Sequence, residues 1–223
     1  MSDVHSGSSA QTESLEHTVG DVSNVLLLSS EETSSRGCSD LLTGTETDVD
    51  HLLGVVYGDP EDLFDHLRST VGRVPAETTV LAVHDGDEDT DADAAEYTSE
   101  SFADAVSPTV ETIHPDETGS LPTTVRDRLD TLAGDDRVAL CFDSVTHLVD
   151  DFGLNRSFRF LNTLTSQLST TDVTGHFHLD PDAHDEQTLS ALTTTFDAVV
   201  RSAGTGGDEW ELVWKRLPDD ESA

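Results

Sequence analysis

The residue types and the position of Asp143-Ser144 suggest chemistry. The pair directly follows the five apolar residues Val138–Phe142. A nearly continuous apolar run of this length is typical of a strand buried on both faces. The acid would then lie at the carboxyl end of that strand, where open α/β sheets bind ligands. A carboxylate there suits magnesium binding or water positioning in phosphoryl transfer, although it can equally cap the next helix.

Two histidines, His176 and His178, alternate on a second predicted strand and therefore share one of its faces. Asp180, His184 and Asp185 follow within a few residues. Imidazole and carboxylate groups in such a cluster are possible ligands for transition metals. The ordinary alternative is a half-exposed strand and loop with polar residues. We favour that alternative and predict no metal site.

Two further interpretations are rejected. Asp143, Ser144 and His147 are the three residue types of a hydrolase triad, but no G-x-S-x-G elbow surrounds Ser144. Residues so close in sequence do not easily converge as nucleophile, base and orienting acid. The acidic segment Asp85–Glu100 resembles a calcium loop, but Thr90 stands where an EF-hand requires glycine at the sixth position. We therefore expect neither a triad nor calcium binding.

The charge of the chain excludes several classes of partner. The 223 residues include 46 acidic and 11 basic side chains, for a net charge of −35, and Lys215 is the only lysine. Such a chain repels nucleic acid and anionic membranes. The acids are interspersed with periodic apolar segments, which argues against general disorder. The composition is typical of a cytosolic protein from a high-salt organism. In molar salt the Debye length is roughly 3 Å, so the repulsion between the many acids is screened.

The cysteines and the N-terminus point to a cytoplasmic protein. Cys38 and Cys141 form no CxxC motif, and Cys141 lies in an apolar run, so we interpret it as a small buried hydrophobe. No apolar stretch approaches the roughly 18 residues of a membrane span. The first residues contain no basic or apolar region of a signal peptide.

Apolar periodicity predicts alternating strands and helices in one domain over residues 22–218. Asp59 and Pro60 are the expected N-cap and first residue of one helix. The alternation predicts an α/β fold, with a mostly parallel sheet and an antiparallel hairpin at its C-terminal edge. Residues 1–21 are predicted to be a disordered acidic tail, 85–105 an acidic loop and 219–223 a tail. The predicted strands are 24–28, 52–57, 78–84, 108–114, 138–142, 173–179, 198–200 and 209–216, and the predicted helices are 36–42, 60–71, 121–132, 155–169 and one within 181–196.

Several motifs follow one another in a recognisable order. Asp143-Ser144 is followed by the helical segment Arg156–Leu168, by Leu179-Asp180-Pro181 and by Phe196–Val200. In this order, residues 24–202 resemble the RecA-like core of archaeal KaiC-type ATPases. The chain also looks like haloarchaeal proteins with eroded RecA/KaiC-like sites, some loosely labelled transducer-like. The resemblance implies a three-layer P-loop NTPase-type fold, with Asp143 and Ser144 at the end of a Walker B strand.

The sequence departs from that family where the phosphates would bind. A phosphate loop needs G-x-x-x-x-G-K-[ST] after the first strand. The corresponding segment Ser29–Cys38 has one glycine, no lysine and two glutamates, with Arg36 as a substitute cation. Tyr57-Gly58-Asp59 stands where the family has a glutamate pair. We therefore expect a non-catalytic pseudo-ATPase that binds no cofactor. It would work through protein contacts in regulation or signalling. The alternative is weak residual ATPase activity, with Asp143 and Ser144 holding Mg-ATP beside Arg36.

The last predicted strand suggests a partner surface. Trp210, Leu212 and Trp214 alternate and are expected on one face. The resemblance implies a protein partner or self-association, which this face would serve. The favoured alternative is that the tryptophans cover the domain's own sheet.

Overall fold

The computed structural model describes residues 19, 22–30, 49–70, 77–83, 109–113, 119–132, 137–203 and 209–215. Several predictions lie outside these residues. They are the tail 1–21 apart from Val19, the helix 36–42, the acidic loop 85–105 with its calcium alternative, the tail 219–223, and the positions of Arg36 and Cys38.

Within the described residues, eight strands form a single sheet in the order β4-β3-β2-β5-β6-β1-β7-β8. Neighbouring strands are parallel, except that β8 is antiparallel to β7. The predicted mostly parallel sheet with an antiparallel hairpin at its C-terminal edge is confirmed. The strands are β1 (Asn24–Leu28), β2 (His51–Tyr57), β3 (Glu77–Val83), β4 (Thr109–Ile113), β5 (Val138–Asp143), β6 (Val173–Leu179), β7 (Ala198–Ala203) and β8 (Glu209–Lys215).

Helices cover both faces of the sheet, which confirms the predicted three-layer arrangement. Five α-helices are described: α1 (Pro60–Thr70), α2 (Leu121–Leu132), α3 (Val145–Phe152), α4 (Leu154–Leu168) and α5 (Glu186–Thr193). The larger apolar cluster joins α2, α3, α4 and α5 to one face. Helix α1 packs on the other face through Leu63, Phe64 and Leu67. None of the helices in the described part of the chain is long and apolar enough to cross a bilayer.

The chain forms two helices after β5, where the sequence predicted one. Helix α3 was missed, although Val145, Leu148 and Phe152 have helical spacing. It ends at Gly153, whose φ of 72° lies in the left-handed region that favours glycine, and α4 begins at the next residue. The Ser157 hydroxyl donates to the Leu148 carbonyl at 2.9 Å and thereby ties the two helices together.

Two local predictions have different outcomes. Asp59 caps α1, since its carboxylate accepts the Glu61 amide hydrogen at 2.9 Å. The expected alternation along β8 is wrong. The register with β7 shifts, so that Leu212 pairs with Val200 whereas Trp214 pairs with Val199. Because Val200 and Val199 belong to clusters on opposite faces, Trp214 does not share the face of Leu212.

Candidate functional site

The carboxyl ends of β1, β2, β5 and β6 meet at one edge of the sheet, because these strands are parallel neighbours. Strands β6 and β1 are neighbours in the sheet. The strand that follows β1 in the chain, β2, lies on one side of this pair, whereas the strand that follows β6, β7, lies on the other side. Open α/β sheets bind ligands at such a switch point, in the crevice outside the strand ends. The fold therefore brings the predicted site residues Asp143 and Ser144 to the edge where a ligand would be expected.

His178 of β6 contacts both neighbouring strands at this edge. Its Nδ1 lies 3.1 Å from Oδ1 of Asp143, and its Nε2 lies 2.9 Å from the carbonyl oxygen of Ser29. The register explains the contact with Asp143, since Phe142 pairs with Phe177. The His178 side chain is only 2% exposed, whereas that of Asp143 is 27% exposed. The imidazole thus fills the space between the ends of β1 and β5.

These two contacts constrain where the proton lies. A carbonyl oxygen only accepts, so Nε2 of His178 carries a hydrogen. The Nδ1 atom of the same ring lies 3.1 Å from Oδ1 of Asp143. The carboxyl group of Asp143 is therefore already in contact with a buried side chain at the edge where a ligand would be expected.

Ser144 and His147 form a second polar group beside this pair. The Ser144 hydroxyl lies 2.8 Å from Nδ1 of His147 and accepts the His147 amide hydrogen at 3.3 Å. The His147 ring stacks on Tyr57 with centroids 5.3 Å apart. The sequence reasoning did not foresee this serine–histidine contact, which arises because Ser144 is the N-cap of α3. The Asp143 carboxylate contacts His178.

The residues after β6 act as local caps. The Asp180 carboxylate accepts the Asp182 amide hydrogen at 2.9 Å, and that of Asp185 accepts the Thr188 amide hydrogen at 2.7 Å. The latter hydrogen bond lowers the pKa of Asp185 below its usual value. Among the described residues, no group of three histidine, cysteine, aspartate or glutamate side chains could hold a metal ion.

His176 and Cys141 lie deeper on the same face and pair in the register of β5 and β6. His176 is 2% exposed, and its Nδ1 makes no hydrogen bond to any described residue. Burial lowers the pKa of His176 to about 3, so the ring is neutral. Cys141 is buried, as predicted, but it is disulfide-bonded and not a free thiol. The other cysteine of the sequence, Cys38, lies outside the described residues.

Comparison with known proteins provides a family and a fold. The model of a family of unknown function, DUF7504, matches residues 22–202. The chain belongs to this family. It also resembles a solved structure described as a structural study of Project ID PH0250 from Pyrococcus horikoshii OT3. The two share 9% identity with a TM-score of 0.54, over 90% of each chain, which supports the fold alone. No curated protein matches the chain.

The role of His178 in this DUF7504 member can be tested by substitution. We expect His178→Ala to lower the free energy of unfolding by about 2 kcal/mol, because it leaves the Ser29 carbonyl unpaired and Asp143 without its counter-group. The effect stays below that of a fully buried pair, since Asp143 is partly exposed. Urea unfolding in molar potassium chloride measures this change in the free energy of unfolding.

Asp143→Asn is the matched control. An asparagine amide donates to a neutral Nδ1 of His178 while Nε2 still donates to Ser29, so the loss should stay below about 1 kcal/mol. Equal losses for the two variants would contradict the proposed hydrogen-bond arrangement.

Proposed function

We propose that this protein is a non-catalytic RecA/KaiC-like pseudo-ATPase of a halophilic archaeon, which acts in the cytoplasm as a regulatory or signalling protein-interaction module. The observation that carries the proposal is the contact between His178 and Asp143. A Walker B aspartate serves magnesium as an anion. Here the buried His178 side chain contacts it, and this histidine is held by the Ser29 carbonyl at the end of β1.

Two further features support the absence of hydrolysis. Asp59 at the end of β2 caps α1 with its carboxylate, which accounts for this acid without a catalytic role. The segment after Ser29 contains Glu31 and Glu32 and lacks a lysine up to Cys38. Glutamates there would repel a triphosphate, and without the lysine the β- and γ-phosphates lose their usual counter-charge.

One observation favours the alternative, a nucleotide-binding protein with weak residual ATPase activity. The Asp143 side chain remains 27% exposed at the ligand edge of the sheet. Mg-ATP would then bind at Asp143 and Ser144, with Arg36 near the phosphates. This alternative requires that magnesium compete with His178 for the Asp143 carboxylate.

Thermal unfolding in molar potassium chloride distinguishes the two functions. We expect the midpoint to be the same with and without millimolar Mg-ATP, because Glu31 and Glu32 would repel the phosphates and His178 already contacts Asp143. A ligand at a hundred times its Kd would add about 2.7 kcal/mol and raise the midpoint by roughly 5–10 °C. Magnesium chloride alone controls for the effect of the cation. A rise that Asp143→Asn abolishes would refute the pseudo-ATPase and support the alternative.

A further inference from the structure

The disulfide of Cys141 has one possible partner within the chain. The sequence contains two cysteines, and Cys141 is disulfide-bonded. Cys38 lies outside the described residues, but it is the only other cysteine. Cys141 is 4% exposed on a central strand, so its sulfur is not available to a second copy of the chain. An intrachain bond from Cys141 to Cys38 follows, and it closes a loop of about 100 residues.

Such a bond is unusual in the compartment proposed above. Cytoplasmic thiols are kept reduced, and the disulfides that do form there are mostly transient ones that respond to the redox state. A chain of 223 residues also buries a large apolar core, so it does not need a disulfide to fold. A permanent structural bond therefore explains this disulfide poorly.

The two strand neighbours of Cys141 differ in chemistry. Cys141 on β5 pairs with Gly54 of β2 on one side and with His176 of β6 on the other. Gly54 has no side chain, so His176 provides the polar group beside the sulfur. Paired residues on neighbouring strands share a face, and the strands lie about 4.8 Å apart. The imidazole and the sulfur are therefore neighbours in the interior of the domain.

His176 lacks a hydrogen bond that a buried imidazole ordinarily makes. Its side chain is 2% exposed, and its Nδ1 makes no hydrogen bond to any described residue. Unpaired buried polar atoms are uncommon in folded proteins and cost free energy. A disulfide sulfur carries no hydrogen and cannot donate to Nδ1, whereas a thiol can. The reduced form of Cys141 thus supplies a hydrogen bond that the oxidised form lacks.

We propose that the disulfide between Cys38 and Cys141 is a redox switch, and that His176 is the positioning residue that accepts a hydrogen bond from the Cys141 thiol in the reduced state. Two molecules of a low-molecular-weight thiol supply two electrons and two hydrogens. The S–S bond breaks, each cysteine sulfur takes up one hydrogen, and the two reductant sulfurs join in a disulfide. This inference rests on the cytoplasmic regulatory role proposed above and names the thiol–disulfide balance as its input.

Equilibration of the full chain with glutathione in molar potassium chloride tests the switch. Acid quenching, alkylation and mass spectrometry count the free thiols at each ratio of reduced to oxidised glutathione. We expect both thiols to appear together as the ratio rises, and a peptide map of the oxidised form to link Cys38 to Cys141. A structural disulfide resists the glutathione pool. Resistance at every ratio, or a disulfide that never forms, would overturn the proposal.

The thermal midpoint shows whether the bond acts on the fold. Reduction should lower the midpoint by about 5–15 °C, because it removes the constraint on a loop of about 100 residues in the unfolded chain. Cys141→Ala is the matched control, since the same thiol should leave its midpoint unchanged. An equal midpoint for the oxidised and reduced wild type would contradict a switch.

Substitutions at His176 test its role in the reduced state. His176→Leu removes the acceptor and should shift the glutathione ratio at half-reduction about threefold or more towards the reduced side. His176→Asn keeps an acceptor near the position of Nδ1 and should remain close to the wild type. Thr174→Val on the same face of β6 pairs with Ala139 and is the matched control. Equal shifts for His176→Leu and His176→Asn, in variants that circular dichroism shows to be folded, would refute this role.

The outcomes separate the switch from the pseudo-ATPase. Nucleotide binding by the wild type would refute the pseudo-ATPase and leave the switch standing. A disulfide that no glutathione ratio reduces, in a chain that binds no nucleotide, would refute the switch alone.

Discussion

Phe177→Ala is expected to lower the free energy of unfolding by about 3–5 kcal/mol, the largest loss that we predict from a single substitution. Phe177 is fully buried at the centre of the sheet on β6. Its ring lies 5.9 Å from that of Phe142 and 5.0 Å from that of Phe196, between centroids. Alanine would leave a cavity that the two flanking strands cannot fill, since the sheet holds them in register.

Urea unfolding in molar potassium chloride measures this loss, with the denaturant dependence expected to stay unchanged. The thermal midpoint should fall by about 10 °C or more. Phe158→Ala on α4 is the matched control, because it removes the same atoms from a half-buried position, and its effect should stay within about 1 kcal/mol. Equal losses at the two positions would contradict the central role assigned to Phe177.

His176 is expected to make the protein increasingly acid-sensitive below pH 6.5. Burial lowers its pKa in the folded state from 6.5 to about 3. Because the folded pKa is lower, the unfolded chain binds the proton more readily. The contribution of His176 to stability is therefore complete above pH 6.5 and is lost as the pH falls towards 3. The loss is about 1.4 kcal/mol for each pH unit in that window.

The many carboxylates of the chain also titrate in acid, so the wild type must be compared with a variant. His176→Gln cannot take up a proton at this position. Between pH 6.5 and 4.5, we expect the free energy of unfolding to fall by about 2–3 kcal/mol more in the wild type than in His176→Gln. The two measurements use urea unfolding at constant potassium chloride. Parallel pH profiles would show that His176 is not neutral in the folded protein.

Local sequence patterns were sufficient for most of the fold. The apolar run Val138–Phe142 predicted β5, and the acid that follows it predicted a polar group at the carboxyl end of that strand. The pattern succeeds because strands buried on both faces are apolar throughout, and parallel sheets bury their strands in this way. Helix α3 also had its signal, since Ser144 precedes apolar residues at helical spacing. That helix was predictable and was overlooked.

The edge strand β8 shows a limit of such patterns. Alternation of Trp210, Leu212 and Trp214 predicted one apolar face, as for a regular strand. The register shift against β7 interrupts that alternation, and a shift of this kind depends on how two strands pair. The alternation therefore included Leu212 and Trp214 but missed Val213, and Trp210 packs against the core instead of being exposed with them.

The sequence by itself determined the elements, their order and the position of Asp143 at the end of β5. Only the tertiary structure decided what that carboxylate meets. His178 lies 35 residues from Asp143 in the chain, and 149 residues from Ser29, whose carbonyl holds the other side of its ring. Apolar periodicity reports which side chains are buried within one element, but not which strand lies beside it. The order β5-β6-β1 brings these three residues together, so the acid that the sequence marked as a site contacts a buried histidine.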